Sequence, residues 1–171
     1  MKTVLYMGIT VNGLIAKTDG DSQWTSEEDL KGFRERSSEA GNCIMGKNTF
    51  LETVKYGHFP FPGALNVVLT KEPVENKWGE SALFLDKSPE EVLKVIEERG
   101  FDTAFVIGGG ALNSAFMKEG LIDEIYLDVE PLVFAKGIPV FREADFEYWL
   151  ELIEVKKLNH DTIQLHYRVK K

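Results

Sequence analysis

The sequence predicts an α/β fold with a largely parallel sheet, because strand-like runs alternate with helical patterns along most of the chain. The final forty residues depart from this alternation and contain two long neighbouring strand patterns. The 171 residues are 43% hydrophobic and 28% charged, which is typical of a globular protein with a packed core. Domains run to roughly 100 to 200 residues, so we expect one domain over residues 1–171.

Six runs rich in β-branched and aromatic residues predict the strands of the sheet. They are Thr3–Gly8, Asn42–Met45, Leu65–Thr70, Ala82–Leu85, Thr103–Ile107 and Ile122–Val129. Helical stretches lie between several of these strands, so we expect a three-layer arrangement with helices packed on the sheet.

The helix predicted over Pro89–Arg99 has sequence signals at both ends. Ser88 stands at the N-cap position, proline occupies the first turn, and Glu91 completes a capping box. Gly100 marks the end of the helix.

An earlier helix is predicted to begin after Thr25 or Ser26. In this helix Leu30 and Phe33 are expected to face inward, and Asp29 lies four residues before Phe33 on the same face.

The C-terminal strand patterns Trp149–Lys157 and Thr162–Val169 are joined by the turn-like segment Leu158–Asp161, which predicts an antiparallel hairpin. In the second strand, apolar residues alternate with Gln164, His166 and Arg168. One face is therefore expected to be buried, and the other to be solvated or to line a contact.

Charge and cysteine content exclude several classes of protein. Twenty basic and 28 acidic residues give a net charge of −8, which disfavours nucleic acid and anionic membranes as partners. Cys43 is the one cysteine, so an intramolecular disulfide and a thiolate zinc site are excluded and a reducing, cytoplasmic location is expected. The three histidines lack metal-ligand spacing, which favours surface or hairpin positions for them and no metal.

The first candidate for a chemical role is the glycine triplet Gly108–Gly110, which follows a buried strand and precedes a helical pattern. Glycine allows close approach of a ligand, and the free N–H groups of a helix start attract phosphate. The alternative is a tight turn without a ligand. The triplet is not the dinucleotide fingerprint, since Asn113 occupies the third glycine position.

Two further strand ends carry groups that suit phosphate. Gly46 is followed by Lys47, Asn48 and Thr49 at a helix start, and Thr70 and Lys71 follow another strand. Ligands bind at the carboxyl ends of strands in α/β sheets, so the three strand ends are expected to converge on phosphate. For each lysine alone a solvated surface position is favoured, but the lysines together with the glycine turn favour a phosphate site.

Asp29 is the candidate catalytic acid. A carboxylate at a helix start is often only a partner of the helix dipole. Its neighbours Trp24 and Phe33 favour a functional role, because an acid between aromatic walls can bind the donor edge of a flat heterocycle or transfer a proton.

The order of these motifs resembles the dihydrofolate reductase superfamily, which includes dihydrofolate reductases and the reductase domain of bifunctional riboflavin-biosynthesis enzymes. Thr10–Ala16, Ser22–Ser26 and Gly137–Phe141 are similar to the riboflavin branch. Trp24, Asp29 with Phe33, Ile44–Phe50 and Val67–Thr70 are spaced as in the folate branch, with Asp29 at the position of the substrate-binding acid.

The resemblance implies an NADPH-dependent reductase with a sheet of about eight strands that ends in the C-terminal hairpin. By this resemblance Trp24, Asp29 and Asp128 are candidate catalytic residues, and Met7, Phe33 and Phe61 bind a small heterocyclic substrate. The candidate cofactor-binding residues are Ala16, Gly46, Lys47, Asn48, Thr49, Thr70, Lys71, Ile107, Gly108, Gly109, Gly110 and Ala111. Lys71 would bind the 2′-phosphate of NADPH.

Three functions remain open at this stage. Reduction of 7,8-dihydrofolate is favoured; reduction of 5-amino-6-(5-phosphoribosylamino)uracil is the alternative; a non-catalytic NADP-binding module is the third. The turn Phe61–Asn66 lacks the arginine that clamps the folate tail, and Tyr56–Pro60 lacks the Asp-Pro stretch and arginine of the riboflavin branch. The hairpin or a sheet edge could support a homodimer.

Asp128 lies on the strand where folate enzymes place a threonine beside the catalytic acid. If Asp29 and Asp128 meet, like charges disfavour joint ionisation and the two share a proton. The alternative is that Asp128 faces solvent or a backbone amide.

Overall fold

The computed structural model describes all residues from Met1 to Lys171 and contains an eight-stranded sheet flanked by four helices. The strands of the main sheet are β1 (Lys2–Ile9), β3 (Asn42–Gly46), β4 (Leu65–Leu69), β5 (Ala82–Leu85), β6 (Thr103–Val106), β7 (Glu124–Val129), β9 (Leu150–Lys157) and β10 (Ile163–Val169). A separate two-stranded sheet is formed by β2 (Leu14–Ala16) and β8 (Ile138–Pro139). The helices are α1 (Glu27–Ala40), α2 (Lys47–Lys55), α3 (Pro89–Glu98) and α4 (Gly110–Lys118).

The strand order is β5-β4-β3-β6-β1-β7-β10-β9. Every neighbouring pair is parallel except β7 with β10 and β10 with β9. The predicted fold class, a mostly parallel sheet that ends in an antiparallel hairpin, is therefore confirmed. The hairpin folds back so that β10, and not β9, pairs with the parallel part of the sheet.

Two apolar layers enclose the sheet, because alternate residues of each strand point to opposite faces. Leu5 and Met7 pack on the face covered by α3 and α4, together with Ile96 and Phe116. Tyr6 packs on the opposite face with residues of α1 and α2. No helix is long and apolar enough to cross a membrane.

The helix ends follow the sequence signals. In α3 the Ser88 side chain accepts a hydrogen bond from the backbone of Glu91 and the reciprocal bond is present, as the capping box predicts. In α1 the N-cap is Ser26 rather than Thr25, so Asp29 takes the third helical position.

The burial of one side chain in α1 and of one in β10 differs from the sequence prediction. Leu30, predicted to face inward, is 38% exposed because it borders an open cleft. Gln164, on the polar face of β10, is buried because α1 covers this part of the strand and Arg36 bonds to its side chain.

Candidate active site

A cleft of about 650 Å³ opens at the carboxyl ends of the parallel strands, where ligands bind in α/β sheets. Gly8 of β1, Gly46 of β3 and Ile107 after β6 all border it. The predicted site residues that line the cleft are Met7, Ala16, Asp29, Phe33, Gly46, Lys47, Asn48, Thr49, Phe61, Ile107, Gly109, Gly110 and Ala111. The fold thus brings most of the candidate residues to one surface.

Two helix N-termini meet at this cleft. Gly46 is the N-cap of α2 and Gly109 the N-cap of α4, and neither helix has a side-chain cap. The Gly46 amide donates to the Gly108 carbonyl at 2.8 Å, which joins the two turns directly. The remaining uncapped N–H groups attract anions, so this end of the cleft fits a pyrophosphate group.

The three glycines of the triplet have different structural roles. Gly108 has φ +93° and is buried outside the cleft lining, so it serves the turn itself. A Cβ on Gly110 would lie 2.3 Å from the Pro139 carbonyl oxygen, so close packing against β8 requires glycine there. Gly109 and Gly110 are the two that border the cleft.

The third strand end, after β4, does not reach the cleft. Thr70 and Lys71 are absent from its lining, because β4 lies beyond β3 from the centre of the site. The Thr70 hydroxyl bonds to the backbone of Glu72, and Lys71 is exposed. The segment after β4 contacts a residue of the cleft through Glu72 instead, because the Glu72 carboxylate forms an ion pair with Lys47.

Asp29 is 5% exposed and borders the cleft from α1. Its close approach depends on Gly8, since a Cβ there would lie 3.0 Å from the Asp29 Oδ1 atom. That oxygen has no hydrogen-bond partner. Burial, then the charge of Asp128, then that of Glu130 raise the pKa of Asp29 to about 8.

Asp128 lies behind Asp29, outside the cleft lining, and is fully buried, so the alternative that it faces solvent is wrong. Its two oxygens accept hydrogen bonds from the Tyr6 hydroxyl at 2.5 Å and from the Gln164 amide at 2.6 Å. Asp29 and Asp128 are neighbours, because Gly8 lies against the Asp29 side chain and pairs with Asp128 in the sheet, and the Tyr6 hydroxyl contacts both residues. Burial raises the pKa of Asp128 as well.

The aromatic wall beside Asp29 consists of Phe33 and Phe61, whose rings are 4.7 Å apart and nearly perpendicular. Trp24, expected in this wall, lies outside the cleft lining. Its ring packs edge-on against Phe134 at 5.7 Å, because its indole N–H donates to the carbonyl of Asp21 and turns it that way.

Several residues near the site carry no local sequence motif. Tyr6 and Gln164 face Asp128 from the two strands that flank β7. The only sequence signal for this position is the alternation of side chains along each strand. Arg34 and Arg142 add cations to the cleft. His58, expected at the surface, also lines it.

Known proteins similar to this chain include an uncharacterized bacterial protein and a dihydrofolate reductase. The protein YwjB of Bacillus subtilis (strain 168) is 32% identical over 97% of each chain. The dihydrofolate reductase of Aedes albopictus is 28% identical, over 74% of this chain and 72% of the relative.

A solved structure has the same fold. It is the diaminohydroxyphosphoribosylaminopyrimidine deaminase/5-amino-6-(5-phosphoribosylamino)uracil reductase of Thermotoga maritima, with a TM-score of 0.79 and 19% identity. The match covers 99% of this chain and 56% of the Thermotoga chain. Residues 2–164 match the family described as the RibD C-terminal domain. The protein belongs to the RibD C-terminal domain family.

Proposed function

We propose that this protein is an NADPH-dependent reductase whose substrate is a phosphorylated pyrimidine of the type reduced in riboflavin biosynthesis. The observation that carries the proposal is a buried carboxyl group with a raised pKa across a cleft from two uncapped helix N-termini. The family match and the reductase named in the Thermotoga protein support this substrate class over dihydrofolate.

The nucleotide end of the cleft fits NADPH. Gly109, Gly110 and Ala111 begin α4 and would hold the pyrophosphate through backbone N–H groups. Lys47 and Thr49, at the start of α2, would bind further phosphate oxygens. NADPH supplies a hydride when bound, and the protein supplies position and a proton.

Asp29 is the proton donor in this proposal. A carboxyl group with a pKa of about 8 is largely protonated at neutral pH and can give its proton to a nitrogen. Phe33 and Phe61 provide an apolar wall against which the ring of the substrate can pack. Reduction of a C=N bond, in the ring or in the imine form of an aminosugar, then needs the hydride at carbon and the Asp29 proton at nitrogen.

The charges at the cleft favour a substrate with an anionic group. Arg34 and His58 line the side of the cleft formed by α1 and the loop after α2. Either could bind a phosphate. The turn Phe61–Asn66 offers no cation, so the carboxylates of a folate tail would lack the arginine clamp.

Dihydrofolate is the second candidate substrate. The 28% identity with the Aedes albopictus dihydrofolate reductase favours it. The resemblance of the motifs also implies that Asp29 stands at the position of the substrate-binding acid of that branch. The two substrates differ in the group attached to the ring, so a direct comparison separates them.

The test follows the loss of NADPH absorbance with each substrate in turn. We expect turnover with 5-amino-6-(5-phosphoribosylamino)uracil, little with dihydrofolate, and at least a hundredfold loss in Asp29→Asn, since general acid catalysis contributes about 10²–10⁴-fold. Faster turnover with dihydrofolate would establish the second candidate. Tight NADPH binding without turnover of either would contradict the reductase assignment and favour a binding module.

A further inference from the structure

The buried carboxyl groups of Asp29 and Asp128 favour a state in which the pair shares one proton. Asp128 accepts more hydrogen bonds than Asp29 does. Asp128 accepts a bond on each of its oxygens, at 2.6 Å on Oδ1 and 2.5 Å on Oδ2. Asp29 Oδ1 is buried and has no partner, and the contact with Thr25 lowers the pKa of Asp29 less than burial and the charge of Asp128 raise it. Donors stabilise the ionised form of a carboxyl group, so they favour a charge on Asp128.

Gln164 can only donate to Asp128. Its side-chain oxygen accepts a bond from the Arg36 guanidinium at 3.3 Å, which orients the amide so that its NH₂ group points to Asp128 Oδ1. The guanidinium itself is held 3.9 Å above the Tyr126 ring. A proton on Asp128 Oδ1 would face this NH₂ group and is disfavoured.

The Tyr6 hydroxyl has one proton and two acceptors within reach. Its distance to Asp128 Oδ2 is 2.5 Å, and its distance to the Asp29 backbone carbonyl is 3.2 Å. The shorter value is typical of a hydroxyl that donates to a carboxylate. Burial raises the pKa of Tyr6 further above its ordinary value, so this hydroxyl keeps its proton.

The other groups around the pair do not offer a better place for the proton. Glu130 accepts from the Ser26 backbone and hydroxyl on one oxygen and from the Thr162 hydroxyl on the other. The groups that face the pair are thus Tyr6 from β1, Thr25 before α1, Arg36 from α1, Glu130 directly after β7, and Gln164 from β10.

We propose that Gln164 and Tyr6 are positioning residues that hold Asp128 as a carboxylate, so that the shared proton resides on Asp29, the member of the pair that borders the cleft. The acid is therefore loaded before the substrate binds. Its use in catalysis rests on the proposed reductase function. After a turnover Asp29 is left as a carboxylate, the substrate nitrogen carries the proton, and Asp29 regains a proton from water.

The test records ¹³C resonances of the aspartate carboxyl groups in the ligand-free protein against pH, with Asp29→Asn and Asp128→Asn as assignment standards. We expect Asp29 to be protonated and Asp128 ionised at neutral pH. In Gln164→Met the amide donor is lost, and the ratio of Asp29-protonated to Asp128-protonated protein should fall roughly tenfold, in line with the strength of a hydrogen bond to a charged group. Tyr6→Phe should change the ratio in the same direction.

The control is Arg168→Gln, which changes an exposed side chain further along β10 and removes a contact with Glu151. It should leave both aspartate titrations unchanged. A proton on Asp128 in the parent protein, or an unchanged ratio in both Gln164→Met and Tyr6→Phe, would overturn the proposal. The measurement needs no substrate, so a failure of the reductase assay does not affect it.

Steady-state kinetics of the same variants distinguish a positioning role from a purely structural one. Gln164→Met should lower kcat with little change in KM for NADPH, because the proton then lies partly on the residue that does not reach the cleft. A fall in activity through KM alone would contradict this.

Discussion

Burial of Asp29 beside Asp128 links the proposed chemistry to the stability of the protein. The pKa of an aspartate in an unfolded chain is about 3.9, and that of Asp29 in the folded protein is about 8. Between these values the folded state binds more protons than the unfolded state. The contribution of this residue to the free energy of unfolding therefore falls as the pH rises from about 4 to 8.

We expect Asp29→Asn to be more stable than the parent protein at pH 8, although its proposed reductase activity should be lost. The amide is neutral and needs no proton, so the difference should be at least about 1 kcal/mol, or a Tm higher by about 2–4 °C. Thermal unfolding at pH 5 and pH 8 measures this. Glu27→Gln, an exposed acid in the same helical turn, is the control and should show no such pH-dependent gain. A lower Tm for Asp29→Asn at pH 8 would contradict the raised pKa.

Gly8 sets the position of the acid. A Cβ at this residue would lie 3.0 Å from both Asp29 Oδ1 and the Thr25 Cγ2 atom, so Gly8→Ala must displace the start of α1. We expect kcat to fall about tenfold or more, since small misplacements of catalytic groups have large effects on rate. The dissociation constant of NADPH is the internal control, because the nucleotide end lies on α2 and α4. Unchanged kcat would mean that Asp29 tolerates the shift.

At the scale of elements, the cleft is formed where the N-termini of α2 and α4 meet the end of β1. The ion pair between Lys47 and Glu72 holds the first cation of α2 near the nucleotide end. Lys71 follows the same strand as Glu72 but lies outside the cleft. Lys47 and Lys71, which the sequence predicts as phosphate ligands at one site, therefore have different surroundings.

Lys47→Ala should raise KM for NADPH about tenfold or more, since a charge-assisted hydrogen bond is worth about 1.5–3 kcal/mol. Lys71→Ala should have a smaller effect because its ammonium group is solvated and more distant. Steady-state kinetics with NADPH and NADH measure both variants. If Lys71→Ala has the larger effect and acts on NADPH alone, the 2′-phosphate is bound by Lys71, as the family resemblance implies.

The elements whose signals are local were predictable from the sequence. The capping box of α3 and the alternating strands depend on nearest neighbours and appear where expected. The surroundings of Trp24 and Gln164 were not predictable, because each depends on a distant partner: Phe134 for the indole ring and Arg36 for the amide. The glycines, Asp29 and Asp128 were candidates from the sequence, whereas Tyr6 and Gln164, which bond to Asp128, were not.

At the scale of the molecule, β9 is an open edge of the main sheet. Its apolar residues Leu152 and Val155 are 53% and 54% exposed, and Trp149 beside it is 78% exposed. An exposed apolar edge strand is a surface on which another strand can pair. Two copies of the chain paired antiparallel along β9 would cover these side chains.

We therefore expect a homodimer in solution, measured by sedimentation equilibrium. Val155→Lys should shift the protein toward the monomer, since it places a like charge from each copy at the shared edge. Val133→Lys, at another exposed apolar residue outside the strands of the sheet, is the control and should leave the mass unchanged. A parent protein that sediments as a monomer at micromolar concentration would rule out the dimer.

The position of β10 between β7 and β9 also has a consequence for biosynthesis. Gln164 comes from β10, which is synthesised after the other strands of the main sheet, while Asp29 and Tyr6 precede it by more than 100 residues. A nascent chain that has not released β10 from the ribosome lacks the amide donor to Asp128 and leaves β7 without a partner on one side. The proposed proton donor should therefore be complete only after β10 has emerged, later than the turns proposed to bind the nucleotide.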